Sequence, residues 1–379
     1  MKINVCIVTF PLSKAGYTPL SNLIKLLSRL ANRVYVVSGG VALEKLEKSE
    51  VGANVRIIKV VHRVSSNPLM RVINYLHTQL KIMRSIVRVS GDTDLFIFFI
   101  GGEGLILPLL LLKLSGKRVL MMPGGVASKV SSVKRDPLSI FMPLILAINL
   151  YIVDRIIVYS PALIQELNIN RWRGKVIIAH EHFIDTSTFT VKKKINERAN
   201  VMGYIGRLSE EKGVLNLIKA IPLVLKERAD TYFLICGEGS LASKIEKIVK
   251  SLKTNVKLMR WIPHEEVPYL LNELKMLVLP SYTEGLPNII LEAMACGTPV
   301  LTTPVGAVPD IIKDGETGFL LKSNDPKCIA NRIVELLGKP KLLEKVSVNA
   351  YNYVKENFSY KKTLEIWRKI LSEFELSKR

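Results

Sequence analysis

Apolar residues fall along the chain in two alternating rhythms. Short runs rich in Val, Ile, Leu and Phe are followed by longer stretches in which apolar positions return every three or four residues. The first reads as a buried strand and the second as an amphipathic helix, so the succession predicts βαβ units and parallel sheets. Strands are expected at 3–9, 34–38, 55–60, 95–99, 118–122, 156–159 and 176–179, then at 201–206, 232–236, 257–260, 277–280 and 300–303. Between the two series lies Val191-Lys-Lys-Lys-Ile-Asn-Glu-Arg-Ala-Asn200, which is charged and follows neither rhythm, as a linker should. The chain is therefore predicted to hold two doubly wound parallel-sheet α/β domains, 1–190 and 200–358, with carboxyl ends of strands lining a cleft between them. A last amphipathic helix is expected at 360–376.

Three apolar stretches need separate treatment. Residues 95–112 are apolar apart from Glu103, but Gly101, Gly102, Gly104 and Pro108 interrupt them. A buried strand, a glycine turn and a helix explain them better than a membrane span. Residues 139–153 are too short to span and contain Pro143. Residues 68–89 carry Ile73, Leu76, Leu80, Met83 and Val87 at helical spacing, with Arg71, Lys81, Arg84 and Arg88 among them. Two readings stand for this basic amphipathic helix: the apolar stripe packs on a core, or it lies on a membrane interface.

A length of 379 residues and 48% hydrophobic content suit two cores. Cys6, Cys236, Cys296 and Cys328 are scattered, with no redox or metal-ligand spacing, so a reducing, cytoplasmic setting without disulfides or a bound metal is expected. The net charge of +21 is uneven: residues 1–190 hold 24 Lys and Arg against 11 Asp and Glu, and residues 191–379 hold 30 against 22. Such an excess attracts anionic lipid or nucleic acid. In the first half the cations are interleaved with Leu, Ile and Met rather than aromatics, which favours a peripheral membrane surface over nucleic acid. A non-enzymatic basic α/β protein is the alternative this charge supports. A nicotinamide oxidoreductase would need Gly-x-Gly-x-x-Gly after the first strand, and residues 10–19 offer only Gly16.

The densest chemistry lies at Pro280-Ser-Tyr-Thr-Glu284-Gly-Leu-Pro-Asn-Ile-Ile-Leu-Glu292-Ala-Met-Ala-Cys-Gly-Thr-Pro. A strand, a turn ending at Pro287 and a helix over Asn288–Ala295 that stops at Gly297 put Glu284 in the loop and Glu292 about one turn into the helix. A helix N-terminus attracts anions, and flanking carboxylates accept hydrogen bonds from sugar hydroxyls. Earlier, Gly203-Tyr-Ile-Gly206-Arg207-Leu-Ser-Glu-Glu-Lys212-Gly213 places two cations in a loop at a strand's carboxyl end. An Arg fork and a Lys point charge suit a diphosphate and the charge that builds on a departing one. Cys236-Gly237-Glu238-Gly239 is a further glycine turn after a strand.

Together with Asp314-Gly-Glu-Thr-Gly318-Phe, these motifs in this order resemble glycosyltransferase family 4 over residues 203–320. The resemblance is looser in the first half, through strand–helix order and the Gly16 loop. It implies a GT-B fold, two Rossmann-like domains facing a central cleft, with the terminal helix 360–379 packing back on the first domain. It implies a retaining, metal-independent enzyme without cofactor, using a UDP- or GDP-sugar and a glycan or lipid-linked acceptor in polysaccharide, glycolipid or glycoprotein-glycan assembly. It gives Arg207 and Lys212 to the diphosphate, Glu292 to the ribose hydroxyls and Glu284 to the donor sugar. Gly16, Gly237, Gly285, Leu286, Pro287 and Asn288 would border the donor, with Trp261 and Ile262 at the base. The family often carries a histidine where this chain has Met121-Met-Pro-Gly124-Gly125, and Pro-Asn-Gly-Val-Asp where it has Glu181-His182-Phe-Ile-Asp185. Glu103, Gly124 and His182 are the acceptor-side candidates.

Overall fold

The computed structural model describes residues 2–13, 16–47, 52–123, 137–252 and 255–376. The chain divides into two compact units, residues 1–182 with 363–379, and residues 183–362.

In the first unit the order is β1 (Asn4–Val8), α1 (Tyr17–Leu30), β2 (Arg33–Ser38), α2 (Val41–Glu47), β3 (Val55–Lys59), α3 (Pro68–Ser90), β4 (Leu95–Phe99) and α4 (Ile106–Leu114). There follow β5 (Arg118–Met122), α5 (Pro137–Ile152), β6 (Arg155–Val158), α6 (Pro161–Glu166) and β7 (Val176–Ile178). The strands form one parallel sheet ordered β3-β2-β1-β4-β5-β6-β7. Val5 pairs with both Val34 and Leu95 at its centre. Central strands covered on both faces can be apolar throughout, and Leu95–Phe99 is wholly buried. That strand, a short 3-10 turn at Gly102–Gly104 and α4 account for the apolar stretch 95–112. Among the described residues no helix is long and apolar enough to cross a membrane.

In the second unit the order is β8 (Val201–Ile205), α7 (Val214–Glu227), β9 (Tyr232–Cys236), α8 (Ala242–Leu252), β10 (Val256–Met259), α9 (Val267–Glu273) and β11 (Met276–Leu279). Then come α10 (Asn288–Ala295), β12 (Val300–Thr302), α11 (Val308–Ile311), β13 (Phe319–Leu320), α12 (Pro326–Leu337), α13 (Pro340–Asn357) and α14 (Tyr360–Leu376). The parallel sheet runs β10-β9-β8-β11-β12-β13. Every expected strand lies within one residue of its predicted ends. The two-residue edge strand β13 is too short to show in the pattern.

One sequence expectation changes, and one left open is narrowed. The segment 191–200 is not a free linker but part of the second unit. Arg198 is buried there, its guanidinium donating to the carbonyls of Lys193, Leu271, Leu274 and Cys296 at 2.7–3.1 Å and to Thr298 Oγ1 at 2.8 Å. The chain instead leaves the first unit after His182 and returns at Thr363, inside α14. The returning helix buries Trp367, Leu371 and Phe374 in the first unit, and Trp367 Nε1 donates to His180 O at 2.9 Å. The narrowed one concerns α3. Its buried face carries Tyr75, Thr78, Gln79, Ile82, Ser85, Ile86 and Val89, so the stripe of Ile73, Leu76, Leu80 and Val87 faces out.

Candidate active site

In the second sheet β8 is flanked by β9 on one side and β11 on the other, so the strand order reverses between β8 and β11. Crossovers leave such a switch point to opposite faces, opening a crevice at the carboxyl ends where open α/β sheets bind ligands. The loops after β8 and β11 lie there, and they carry the two densest sequence motifs.

The loop after β8 is shaped by its hydrogen bonds and by Gly213. Tyr204 Oη donates to Arg207 O at 2.6 Å, and a 3-10 turn at Glu210–Lys212 leads into Gly213. Gly213 has φ +64, and a Cβ there would sit 2.0 Å from Pro280 O, so glycine alone allows the β8 loop to press on the end of β11. Tyr282 N donates to Glu211 O at 2.9 Å and Asn216 Nδ2 to Tyr282 Oη at 2.8 Å, tying the two loops together.

Across this junction Lys212 Nζ lies 2.6 Å from Glu284 Oε2. Ser281 Oγ donates to Glu284 Oε1 at 2.7 Å, so both carboxylate oxygens are engaged and the side chain is buried. An ammonium has three protons, and Glu284 takes one. Arg207 is largely exposed and reaches Glu211 Oε1 at 3.4 Å. Burial raises the Glu211 pKa, but the Ser209 hydroxyl at 2.7 Å, its own backbone N–H and the cations Arg207 and Lys212 outweigh that and hold it below the ordinary carboxylate value.

Glu292, on α10, is buried, and its Oε1 meets His264 Nε2 at 2.8 Å. His264 stands in the 3-10 turn after β10 and packs its ring 5.3 Å from Phe189. Trp261, in the same loop, is half exposed, and Ile262 is partly buried. Pro287 is the N-cap of α10, and the helix Asn288–Ala295 has the bounds the sequence predicted. Gly285 O accepts from Ala307 N at 2.9 Å, and a Cβ on Gly306 would sit 2.0 Å from Glu284 O. Gly237 lies against Gly206 O in the same way, 1.9 Å from an added Cβ. The loops after β8, β9, β10 and β11 and the first turns of α10 thus hold Arg207, Lys212, Gly237, Trp261, Ile262, Glu284, Gly285, Leu286, Pro287, Asn288 and Glu292 at one edge of one sheet.

Sequence reasoning missed Ser281, Glu211, His264 and Gly306. Only Gly306, an isolated glycine after a strand, left a signal. The other three are ordinary polar residues, and His264 reaches Glu292 only through the packing of separate loops.

The remaining candidates belong to the first unit. Gly16 is the N-cap of α1 with an ordinary helical φ of −77, and a Cβ there would sit 3.0 Å from the Leu12 side chain. Gly124 lies outside the described residues. Glu103 is buried in the turn after β4, where its backbone carbonyl accepts from Asn149 Nδ2 at 2.8 Å. His182, after β7, is buried with its Nε2 3.4 Å from Glu181 Oε1 and its ring 5.2 Å from Tyr159. Glu181 is wholly buried, and burial raises its pKa to about 8. Burial, and then the neighbouring His182, push His180 down to about 3. Burial with Glu181 and Glu103 also raises Tyr159.

Comparison with known proteins fits this geometry. The family profile "Glycosyl transferases group 1" matches residues 185–353. An uncharacterized glycosyltransferase of Methanocaldococcus jannaschii is 28% identical over 318 residues, 83% of this chain and 85% of that protein. A Campylobacter jejuni enzyme named GalNAc-alpha-(1->4)-GalNAc-alpha-(1->3)-diNAcBac-PP-undecaprenol alpha-1,4-N-acetyl-D-galactosaminyltransferase is 29% identical over 205 residues, 53% of this chain and 55% of that protein. With such relatives the match spans about half of their length. The crystal structure of Anabaena HepE in complex with UDP superposes with a TM-score of 0.76 at 15% identity, covering 98% of this chain and all of that one. That likeness shows the fold, two parallel-sheet Rossmann-like domains of the GT-B class. The second unit carries a glycosyl transferases group 1 domain, and the chain is homologous to glycosyltransferases.

Proposed function

We propose that this protein is a retaining, metal-independent glycosyltransferase that moves a hexosyl group from a UDP- or GDP-sugar to a glycan or lipid-linked acceptor. The observation that carries the reading is the Lys212–Glu284 contact at the switch point of the second sheet. A diphosphate laid at this edge meets Lys212, Arg207 and the positive end of α10. Glu284, fixed by Ser281 and Lys212, offers its carboxylate to sugar hydroxyls, and Glu292, oriented by His264, offers its own to the ribose. The UDP in the structurally similar HepE and the lipid-linked substrate in the name of the Campylobacter relative support both partners.

In this mechanism the bond between the anomeric carbon and the β-phosphate oxygen breaks. The acceptor hydroxyl attacks from the same face, and its proton passes to the departing phosphate oxygen. No protein base is needed. Arg207 and Lys212 stabilise the charge that develops on the diphosphate, the kind of preorganised contribution worth about 10²–10³ in rate per donor group. Glu103 and His182 fall to the acceptor side.

The test is turnover across a panel of nucleotide sugars with and without EDTA, followed by NMR of the product anomer. Turnover of one donor that is indifferent to EDTA and retains anomeric configuration supports the proposal. Loss of turnover on chelation refutes metal independence, and an inverted anomer refutes the front-face mechanism. Failure of every donor to bind or turn over sinks the whole reading.

A further inference from the structure

α3 carries apolar residues on two faces. Tyr75, Ile82, Ile86 and Val89 point to the core with Thr78, Gln79 and Ser85, while Leu69, Ile73, Leu76, Leu80 and Val87 are exposed. At 100° per residue these five apolar residues form one stripe, with Arg84, Arg88 and Lys81 along its flank. The stripe does not end with the helix. α4 packs against both α3 and α5, so the three make one layer. α4 adds Leu110 and Leu114, the latter 87% exposed. α5 adds Phe141, Leu144, Ile148 and Tyr151, the last 73% exposed.

Tyr151 and Ile148 also line an open groove of about 750 Å³ with Trp172, Arg171 and Lys175. Arg171 stacks 3.8 Å over Trp172, and Lys175 Nζ donates to Tyr151 O at 2.6 Å, closing the carboxyl end of α5. Aromatic rings with basic side chains at the rim of an apolar surface match the chemistry of a lipid headgroup region.

None of α3, α4 and α5 contains an Asp or a Glu. This decides the occupant. A second copy of the chain would set Lys81, Arg84 and Arg88 against their own kind with no carboxylate in the layer to offset them. An anionic bilayer offers phosphates to the cations and acyl chains to the leucines.

We propose that the α3–α4–α5 layer docks on an anionic phospholipid bilayer, with its exposed apolar side chains in the headgroup–acyl boundary and its cations on lipid phosphates. The inference rests on this surface alone and stands or falls independently of the donor chemistry.

The experiment is co-sedimentation of the full chain with phosphatidylcholine vesicles, with and without phosphatidylglycerol, at low and high salt. Binding should need phosphatidylglycerol and weaken in high salt. Leu76→Ser/Leu80→Ser and Arg84→Glu/Arg88→Glu should each lower the partition coefficient roughly tenfold or more. Because all four side chains face outward, unfolding midpoints should stay at the wild-type value; should one pair fail to fold, the other decides. Absence of binding to either vesicle, or binding that neither pair reduces, overturns the proposal. So does sedimentation equilibrium showing a dimer that the leucine pair dissolves, which would assign the layer to a second copy.

Discussion

Replacing Glu181 by Gln changes how the first unit responds to pH, and the sign can be worked from the structure. Glu181 is wholly buried, and burial raises its pKa from 4.5 to about 8, against smaller opposing effects of its own backbone and the Tyr159 hydroxyl. Above pH 4.5 the unfolded chain has released this proton while the folded protein keeps it. Stability from Glu181 is therefore complete below 4.5 and is lost as pH rises towards 8, at about 1.4 kcal/mol per pH unit. His180 works the other way. Its pKa falls from 6.5 to about 3, so its contribution is complete above 6.5 and is lost as pH falls. The two slopes cancel between 4.5 and 6.5. Above 6.5 only the Glu181 slope remains, and it removes about 2 kcal/mol by pH 8. Glu181→Gln keeps the amide-for-acid shape and cannot ionise. Urea unfolding at a series of pH values, in a Trp261→Phe background so that emission comes from Trp172 and Trp367 of the first unit, gives the comparison. The variant should gain about 2 kcal/mol on wild type between pH 6.5 and 8. Parallel pH curves for the two proteins would refute the assignment of a buried neutral acid.

Three further outcomes are expected. Arg198→Met strips the donors from four buried carbonyls and Thr298, and should cost the second unit about 3 kcal/mol or more in chemical unfolding. Gly213→Ala forces a side chain into φ +64 and against Pro280 O; calorimetry should show a loss of about 1–3 kcal/mol or more, together with lower donor turnover as the Lys212 loop moves. Lys212→Met should lower kcat about 10²-fold or more at unchanged EDTA response, whereas Glu292→Gln and His264→Ala should act mainly on KM for the donor nucleotide.

The two rhythms of apolar residues were enough to place the strands, because a strand buried on both faces must be apolar throughout and its helices must carry one apolar stripe. Glycines at 213 and 237 marked the loops at the sheet edge, since close backbone contact there tolerates no Cβ. Local sequence did not say that Lys212 would pair with Glu284, or that His264 would orient Glu292, because these partners come from different strand–helix units. Segment 191–200 looked like a linker for the same reason. Its charge is consistent with solvent, and only the carbonyls of Leu271, Leu274 and Cys296 turn Arg198 inward.

The sequence alone therefore determined the α/β class, the order of the elements and which loops carry cations and carboxylates, since burial period and glycine chemistry act over a few residues. The tertiary structure decided which charges meet and which face of α3 is covered. The same stripe of Ile73, Leu76, Leu80 and Val87 fits a core or an interface by its spacing, and only burial of the opposite face, Tyr75, Ile82, Ile86 and Val89 with Thr78, Gln79 and Ser85, turned it outward.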